Sequence, residues 1–450
     1  MKARLSDAVQ FLASFIRTRW GYRFRNREQL VAFQNAQLER FLKRTARFSP
    51  YYRARSGLTF QELPLVRKTD HIAGFADFNT RGITLGAARR VALEAEDNRD
   101  FTPVLPGDIS VGCSSGTSGQ ATVFLVSRRE RSRWAGVMLA RMLSPRMLRQ
   151  ILNPFAKPIR IAFFLRANSN LYTSIVNPRL IFNFFDLANA LETHLDSLNA
   201  FAPDILVAPA SVLRFLSRKQ RAERLSIKPC QVISVAETLE SDDVDGVLEA
   251  WHVETQQIYQ CTEGFLGYSC AHGAIHLNEE FMRIEPEWID EERRRFVAIV
   301  SDFSRSTQMY IRFRMDDVLH HDAAACRCGR VTMRLKSIEG RHDDVLWMRD
   351  LGSGALRAIF PDQVRRAIML AAPTAEDYRI EQHGSHLSVA VPAGAESIDA
   401  EHVKHGVENL CKQLAVALPP LTVIEWPERL ASEKRRRIRC VSKPQASEAA

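Results

Sequence analysis

Between residues 28 and 47, apolar side chains recur at three- and four-residue intervals: Leu30, Phe33, Leu38, Phe41 and Leu42. That spacing predicts an amphipathic helix with one packed face, and "SPYY" at 49–52 stops it. The same reading predicts helices at 6–19, 129–143, 185–198, 210–217, 239–250, 361–372 and 400–416. Short β-branched and aromatic runs predict strands at 122–127, 160–165, 205–208, 231–236, 256–260, 296–302, 308–314, 331–338, 378–382, 386–391 and 421–426. Strands and helices interleave, so the body is α/β. After Gly340 the rhythm changes: strand "VLWM", helix "PDQVRRAIMLA", strands "YRIEQ" and "HLSVAVP", a second helix, then strand "LTVIEW". This β-α-β-β-α-β order suits a small ferredoxin-like domain. A domain boundary is expected between Gly340 and Arg341, giving domains 1–340 and 341–450.

The 450 residues, 46% apolar and 25% charged, suit a globular chain of two or more domains. No apolar run reaches the roughly 18–20 residues of a membrane span. The N-terminus lacks a clean cleavage site, so a cytosolic, cytoplasmic protein is expected. Eight scattered cysteines at 113, 230, 261, 270, 326, 328, 411 and 440 form no dense framework, which favours buried, metal-bound or reactive thiols over disulfides. The net charge is +10, concentrated at the ends. Residues 1–55, a basic helical arm, hold thirteen Lys/Arg against three Asp/Glu, and "KRRRIRCVSK" lies at 434–443. Such ends suit an acidic protein partner, peripheral contact with an anionic membrane surface, or nucleic acid. Nucleic acid is not expected, because helix-turn-helix, zinc-finger and aromatic strand motifs are missing.

The stretch "SVGCSSGTSGQAT" has three glycines and five Ser/Thr hydroxyls between Gly112 and Thr122. Loops of this kind aim backbone N–H groups and hydroxyls at phosphate oxygens. The P-loop pattern GxxxxGK[ST] and the dinucleotide pattern GxGxxG are both absent. "SSGTSGQAT" resembles the phosphate loop of the adenylate-forming superfamily of acyl-CoA synthetases and adenylation domains. Thr122 stands where most branches place Lys, as in the phenylacetate–CoA ligase branch. Five more stretches resemble that superfamily in order: "SVAETL" (234–239), "YQCTEG" (259–264), "MYIRFRMDDVL" (309–319), "CRCGR" (326–330) and "IEGRHDDVLWM" (338–348). "SEKRRRIRCV" at 432–441 sits where the superfamily's terminal Lys motif lies. The likeness is greatest to the phenylacetate–CoA ligase branch and to uncharacterised relatives of the ligase that adenylates a deazaflavin coenzyme.

The resemblance implies a large N-terminal adenylate-forming domain and a small mobile α+β C-terminal domain. It implies that ATP and a small carboxylic acid, with an aromatic one favoured, react to acyl-AMP and pyrophosphate. A thiol of coenzyme A, or the phosphopantetheine of an acidic acyl carrier protein, then attacks. The triphosphate would lie on Ser114, Ser115, Gly116, Thr117, Ser118, Gly119 and Thr122. Thr262 and Glu263 match the "TE" pair, with Glu263 on Mg²⁺, a hard cation that prefers oxygen. Ala236 and Glu237 match the adenine shelf. Asp317 matches the ribose-binding Asp, Asp316 being the alternative. Arg341 matches an arginine that reaches phosphate or ribose, and Asp343 the hinge. Lys434 matches the catalytic lysine. Cys270, His276, Cys326 and Cys328 match a structural zinc site, with His272 the competing ligand; their spacing alone is no standard zinc motif. Adenylation without thioester formation, and a catalytically impaired nucleotide-binding relative, remain the alternatives.

Overall fold

The computed structural model describes residues 2–113, 122–165, 178–341, 345–371, 377–392, 397–426 and 437–444. The chain divides into two compact units. The first comprises Met1–Arg294, Ala298–Met315 and His321–Ser337; the second comprises Arg295–Val297, Asp316–His320 and Ile338–Ala450.

The first unit opens with the helix Lys2–Ile16 and a π-turn at Arg17–Gly21. This helix packs on the helix Arg128–Met142, where Gly136 permits a very close approach: a Cβ there would lie 2.4 Å from the Phe11 carbonyl oxygen. The predicted helix at 28–47 is observed at Arg27–Arg44. It is capped by Asn26, whose side chain accepts from the Gln29 amide, and it buries Leu30, Leu38 and Phe41.

A hairpin follows, β1 (Ile109–Cys113) and β2 (Val123–Ser127), paired antiparallel with Cys113 opposite Val123. The main sheet takes β3 (Ile159–Leu165), β4 (Leu180–Asp186), β5 (Ile205–Ala208), β6 (Gln231–Val235), β7 (Thr255–Cys261), β8 (Gly264–Ser269), β9 (Ile275–Leu277), β10 (Met282–Trp288), β11 (Arg295–Asp302), β12 (Phe313–Asp322) and β13 (Arg334–Arg341). Its order is β10-β11-β12-β13-β9-β8-β7-β6-β5-β3-β4. The run β4-β3-β5-β6-β7 is parallel, and β7-β8-β9-β13 is antiparallel.

The parallel strands read as nearly unbroken apolar runs because both faces are covered. In β3, Ile159, Ile161 and Phe163 join one core with Val137, Met138 and Leu139 of the helix Arg128–Met142. Ala162 and Phe164 point the other way, into a core with Leu198, Leu213, Leu216 and Trp251. The expected helix at 185–198 is corrected: β4 ends at Asp186, a 3₁₀ turn covers Leu191–His194, and the helix is Leu195–Phe201. β4 pairs in parallel along all of β3, and this pairing outweighs the helical spacing of the leucines that follow. The strand expected at 308–314 begins at Phe313, and the helix Leu85–Asn98 was not anticipated.

In the second unit, β16 (Arg379–His383), β17 (His386–Ala390), β18 (Leu421–Val423) and β19 (Ile438–Ser442) form a sheet in the order β18-β17-β16-β19. Helices Pro361–Ala371 and Ser397–Leu414 share its core through Val364, Ile368, Val403 and Val407. One strand differs from expectation. "VLWM" supplies β14 (Leu346–Arg349), which pairs with β15 (Leu356–Ile359), and β19 lies beside β16 instead. Glu339 anchors the start of this unit: Arg295 Nε donates to its Oε2 at 2.9 Å, and His320 Nδ1 lies 3.0 Å from Oε1. Among the described residues, no helix is long and apolar enough to cross a membrane.

Candidate functional site

The β1–β2 hairpin carries the glycine/hydroxyl loop. Gly112 faces Phe124 across the ladder, and a Cβ at Gly112 would overlap the Phe124 ring at 2.1 Å. That glycine therefore lets the ring cross to the far side. Ser114, Ser115, Gly116, Thr117, Ser118 and Gly119 lie outside the described residues; Thr122 is buried where β2 begins.

Thr262 and Glu263 occupy the two-residue turn between β7 and β8. The ladder shifts register at Tyr259/Gln260 and closes with Cys261 opposite Gly264. A bulge of this kind re-aims the residues at the tip. Glu263 is 8% exposed, and no described residue donates a hydrogen bond to its carboxylate. A carboxylate whose oxygens are left open in this way is a suitable ligand for Mg²⁺, a hard cation that prefers oxygen.

A polar network that the motif reading missed joins β2 to the turn. Arg305 Nη1 donates to the Thr262 carbonyl (2.7 Å) and Nη2 to the Leu125 carbonyl (3.1 Å). The Leu125 amide donates to Gln308 Oε1 at 2.8 Å. Glu130 accepts at Oε2 from the Ser127 amide (2.8 Å) and hydroxyl (2.6 Å) and from the Thr307 hydroxyl. At Oε1 it accepts from the amides of Ser306 (2.5 Å) and Thr307 (2.9 Å). Burial works to raise the Glu130 carboxyl, but the Arg305 charge and the hydrogen bonds from Ser127 and Thr307 outweigh it and hold it below the ordinary value. The one local signal was Ser127-x-x-Glu130, a capping box opening the helix Arg128–Met142.

β2, that helix and the Thr262 turn enclose a cavity of about 90 Å³. Its apolar lining includes Phe124, Trp134, Phe265, Phe281 and Met282; Thr262, Arg133 and Asp302 are among its polar members.

Ala236 follows β6 in a left-handed conformation, φ 64°, uncommon for a residue with a Cβ. The Glu237 amide returns to the Val235 carbonyl at 2.8 Å, and Glu237 Oε2 accepts from the Ser211 amide at 2.9 Å. Ala236 is exposed at the carboxyl end of a parallel strand, where open α/β sheets bind ligands. In the second unit, Asp316 is exposed and Asp317 half-buried on β12. Arg341 ends β13, but its side chain, Asp343 and Lys434 lie outside what is described.

The cysteine–histidine group is assembled. Cys270, His276, Cys326 and Cys328 present donor atoms all within 4.8 Å of one another. Cys270 and Cys326 Sγ are 3.7 Å apart, and Cys328 Sγ is 3.4 Å from His276 Nε2. Four donors on a tetrahedron with Zn–S near 2.3 Å have S···S edges of about 3.8 Å. His276 is 1% exposed, and its Nδ1 faces the Thr332 hydroxyl (3.1 Å) and carbonyl (3.3 Å). An Nδ1–H donated there leaves the Nε2 lone pair toward the cysteines, the orientation a metal ligand needs. Burial lowers the His276 pKa, which favours the neutral, ligating imidazole. His272 is exposed and outside the group; only its amide touches Cys270 Sγ. The group ties the β8–β9 hairpin to the loop before β13.

No family model and no curated protein matches the chain. Solved structures do. The chain is similar to 2-hydroxyisobutyryl-CoA ligase in its postadenylation state, with TM-score 0.60, 16% identity, and coverage of 92% of this chain and 88% of that one. It is similar to fatty acyl-adenylate ligases from E. coli and L. pneumophila, with TM-score 0.52, 12% identity, and coverage of 75% and 69%. It is also similar to the amide bond synthetase McbA from Marinactinospora thermotolerans, with TM-score 0.50, 14% identity, and coverage of 75% and 68%. The fold is that of the adenylate-forming enzymes, with a large α/β body and a smaller C-terminal domain.

Proposed function

We propose that the protein adenylates a small carboxylic acid with ATP, releasing pyrophosphate, and passes the acyl group to a thiol. The carrying observation is a convergence at one cavity. β2, which leaves the glycine/hydroxyl loop, and the Thr262–Glu263 turn meet there, laced together by Arg305. A carboxylate is a poor electrophile, and AMP makes a good leaving group of its oxygen; the protein's part is positioning and charge compensation. On this reading Ser114–Gly119 and Thr122 cradle the triphosphate, and the cavity takes the acid. Glu263 is the residue to hold Mg²⁺, which would neutralise phosphate charge. Ala236 and Glu237 flank the adenine, Asp317 takes the ribose hydroxyls, and Arg341 reaches phosphate or ribose. Asp343 serves as the hinge.

Lys434 is assigned the charge between α-phosphate and acid. The phenylacetate–CoA ligase branch is the proposed kinship, and coenzyme A or an acidic carrier protein the acceptor. Cys270, His276, Cys326 and Cys328 are proposed to hold one Zn²⁺ that is structural, since four ligands leave no open position.

Acid-dependent pyrophosphate release, followed by capture with coenzyme A, tests the reading. Lys434→Ala should slow acyl-AMP formation by roughly two to three orders of magnitude, the scale of one lost electrostatic donor, while thioester formation from supplied acyl-AMP stays nearly intact. Equal loss in both half-reactions removes Lys434 from that role.

A further inference from the structure

Asp302 closes β11 at the cavity wall and is 3% exposed. Its Oδ1 accepts from the Ser304 amide at 2.7 Å. The Ser304 side chain is a second donor to this carboxylate; with about four acceptor positions, the carboxylate keeps capacity for a further donor. The nearby cations are spoken for: Arg133 donates to the Ser304 carbonyl, and Arg305 to Thr262 and Leu125. Neither forms an ion pair with Asp302 among the described residues. Space in front of Oδ2 is kept open by Gly264, where a Cβ would stand 3.2 Å from that oxygen. Burial pushes the Asp302 carboxyl above its ordinary range, against the Ser304 hydrogen bonds and the two arginine charges. Acceptor capacity left on a carboxylate at the wall of a cavity lined by aromatic rings is a place for a ligand's hydrogen-bond donor.

We infer that the acid bound in this cavity is a small aryl acid carrying a hydroxyl or amino group, and that Asp302 Oδ2 accepts that group's hydrogen. The inference rests on the adenylation reading, because it takes the cavity as the acid's place. The rings of Phe124, Trp134, Phe265 and Phe281 supply a wall for a flat apolar body. The Trp134 ring is steadied by its Nε1–H donating to Gln260 Oε1 at 3.3 Å. An acid of the same shape without a donor would leave that remaining acceptor capacity unfilled. A site built around such a hydrogen bond discriminates far more sharply than an apolar pocket does. One hydrogen bond to a charged acceptor corresponds to a preference of roughly 10- to 150-fold.

The test compares pyrophosphate release from the full-length protein with MgATP and benzoate against the three hydroxybenzoates and three aminobenzoates, in wild type and Asp302→Asn. The expected result is that at least one substituted acid exceeds benzoate in kcat/KM by tenfold or more. In Asp302→Asn, which keeps the shape and an oxygen for the Ser304 amide, that ratio should fall toward one with the melting temperature unchanged. Benzoate matching every substituted acid in wild type, or an unaltered ratio in Asp302→Asn, overturns the inference and leaves adenylation standing. Silence across the whole panel from a folded protein that binds ATP overturns the inference, and pyrophosphate release with aliphatic acids then decides the adenylation reading separately.

Discussion

The cysteine–histidine group and the Glu130 network both fasten distant stretches of the first unit, and they differ in completeness. Around Glu130, each carboxylate oxygen already has several donors from Ser127, Ser306 and Thr307. Nothing need be added for it to hold helix Arg128–Met142 against residues 306–307. Around Cys270, His276, Cys326 and Cys328, four donor atoms crowd together within 4.8 Å of one another. Hydrogen bonds from Cys328 and Cys270 lower the Cys326 thiol against its burial, while burial and its neighbours push Cys328 up to about 12. A zinc ion bound as proposed would add stability to this set, because the ligands bind as thiolates and neutral imidazole. A saturated polar cluster is part of the scaffold, and an unsaturated one points to a missing ligand.

The contrast breaks most visibly at the cysteines. Cys326→Ser/Cys328→Ser should remove about one zinc per chain and destabilise the first unit by several kcal/mol, read by metal analysis and thermal unfolding. A metal-free wild type of undiminished stability would erase the distinction.

A smaller effect, about 2–3 kcal/mol, is expected from Glu130→Gln, since an amide oxygen cannot replace a carboxylate accepting on both sides. The pH dependence sharpens this. The folded Glu130 pKa lies below its unfolded value, so its contribution is present above the unfolded pKa, near 4.3, and fades as pH falls through the folded one. Denaturant unfolding should show wild type and variant converging in acid and separated at neutral pH. A constant gap would mean that packing, not charge, sets the Glu130 effect. The smallest change should come from His272→Ala, whose ring is exposed and outside the group; zinc content and melting temperature should both be unmoved. Loss of metal there would return His272 to the ligand set in place of His276.

These two regions also mark what was legible in the sequence. Cys270, His276, Cys326 and Cys328 were singled out through family likeness, and the folded chain gathers them even though their spacing alone is unremarkable. The helix Arg27–Arg44 and the parallel strands β3, β5, β6 and β7 were readable from the local sequence, whereas β4 was not. The Glu130 partners at 306–307 were not readable. They lie some 176 residues away, and Ser127-x-x-Glu130 announces only a helix start. Asp302 carried no signal either, since the role proposed for it depends on its nearness in space to Gly264. The helix expected at 185–198 failed for a related reason: pairing with β3, a non-local gain, claimed its first residues.

Gly136 bears on how the chain is made. The helix Lys2–Ile16 is seated on it through the Phe11 carbonyl, yet Gly136 is synthesised about 125 residues after Phe11, or roughly 6–25 s later at ordinary elongation rates. Throughout that interval the nascent helix has apolar side chains such as Phe11 and Phe15 and no cognate surface to cover them. This helix leaves the ribosome well before Gly136 and is thus obliged to wait for the body it will rest upon.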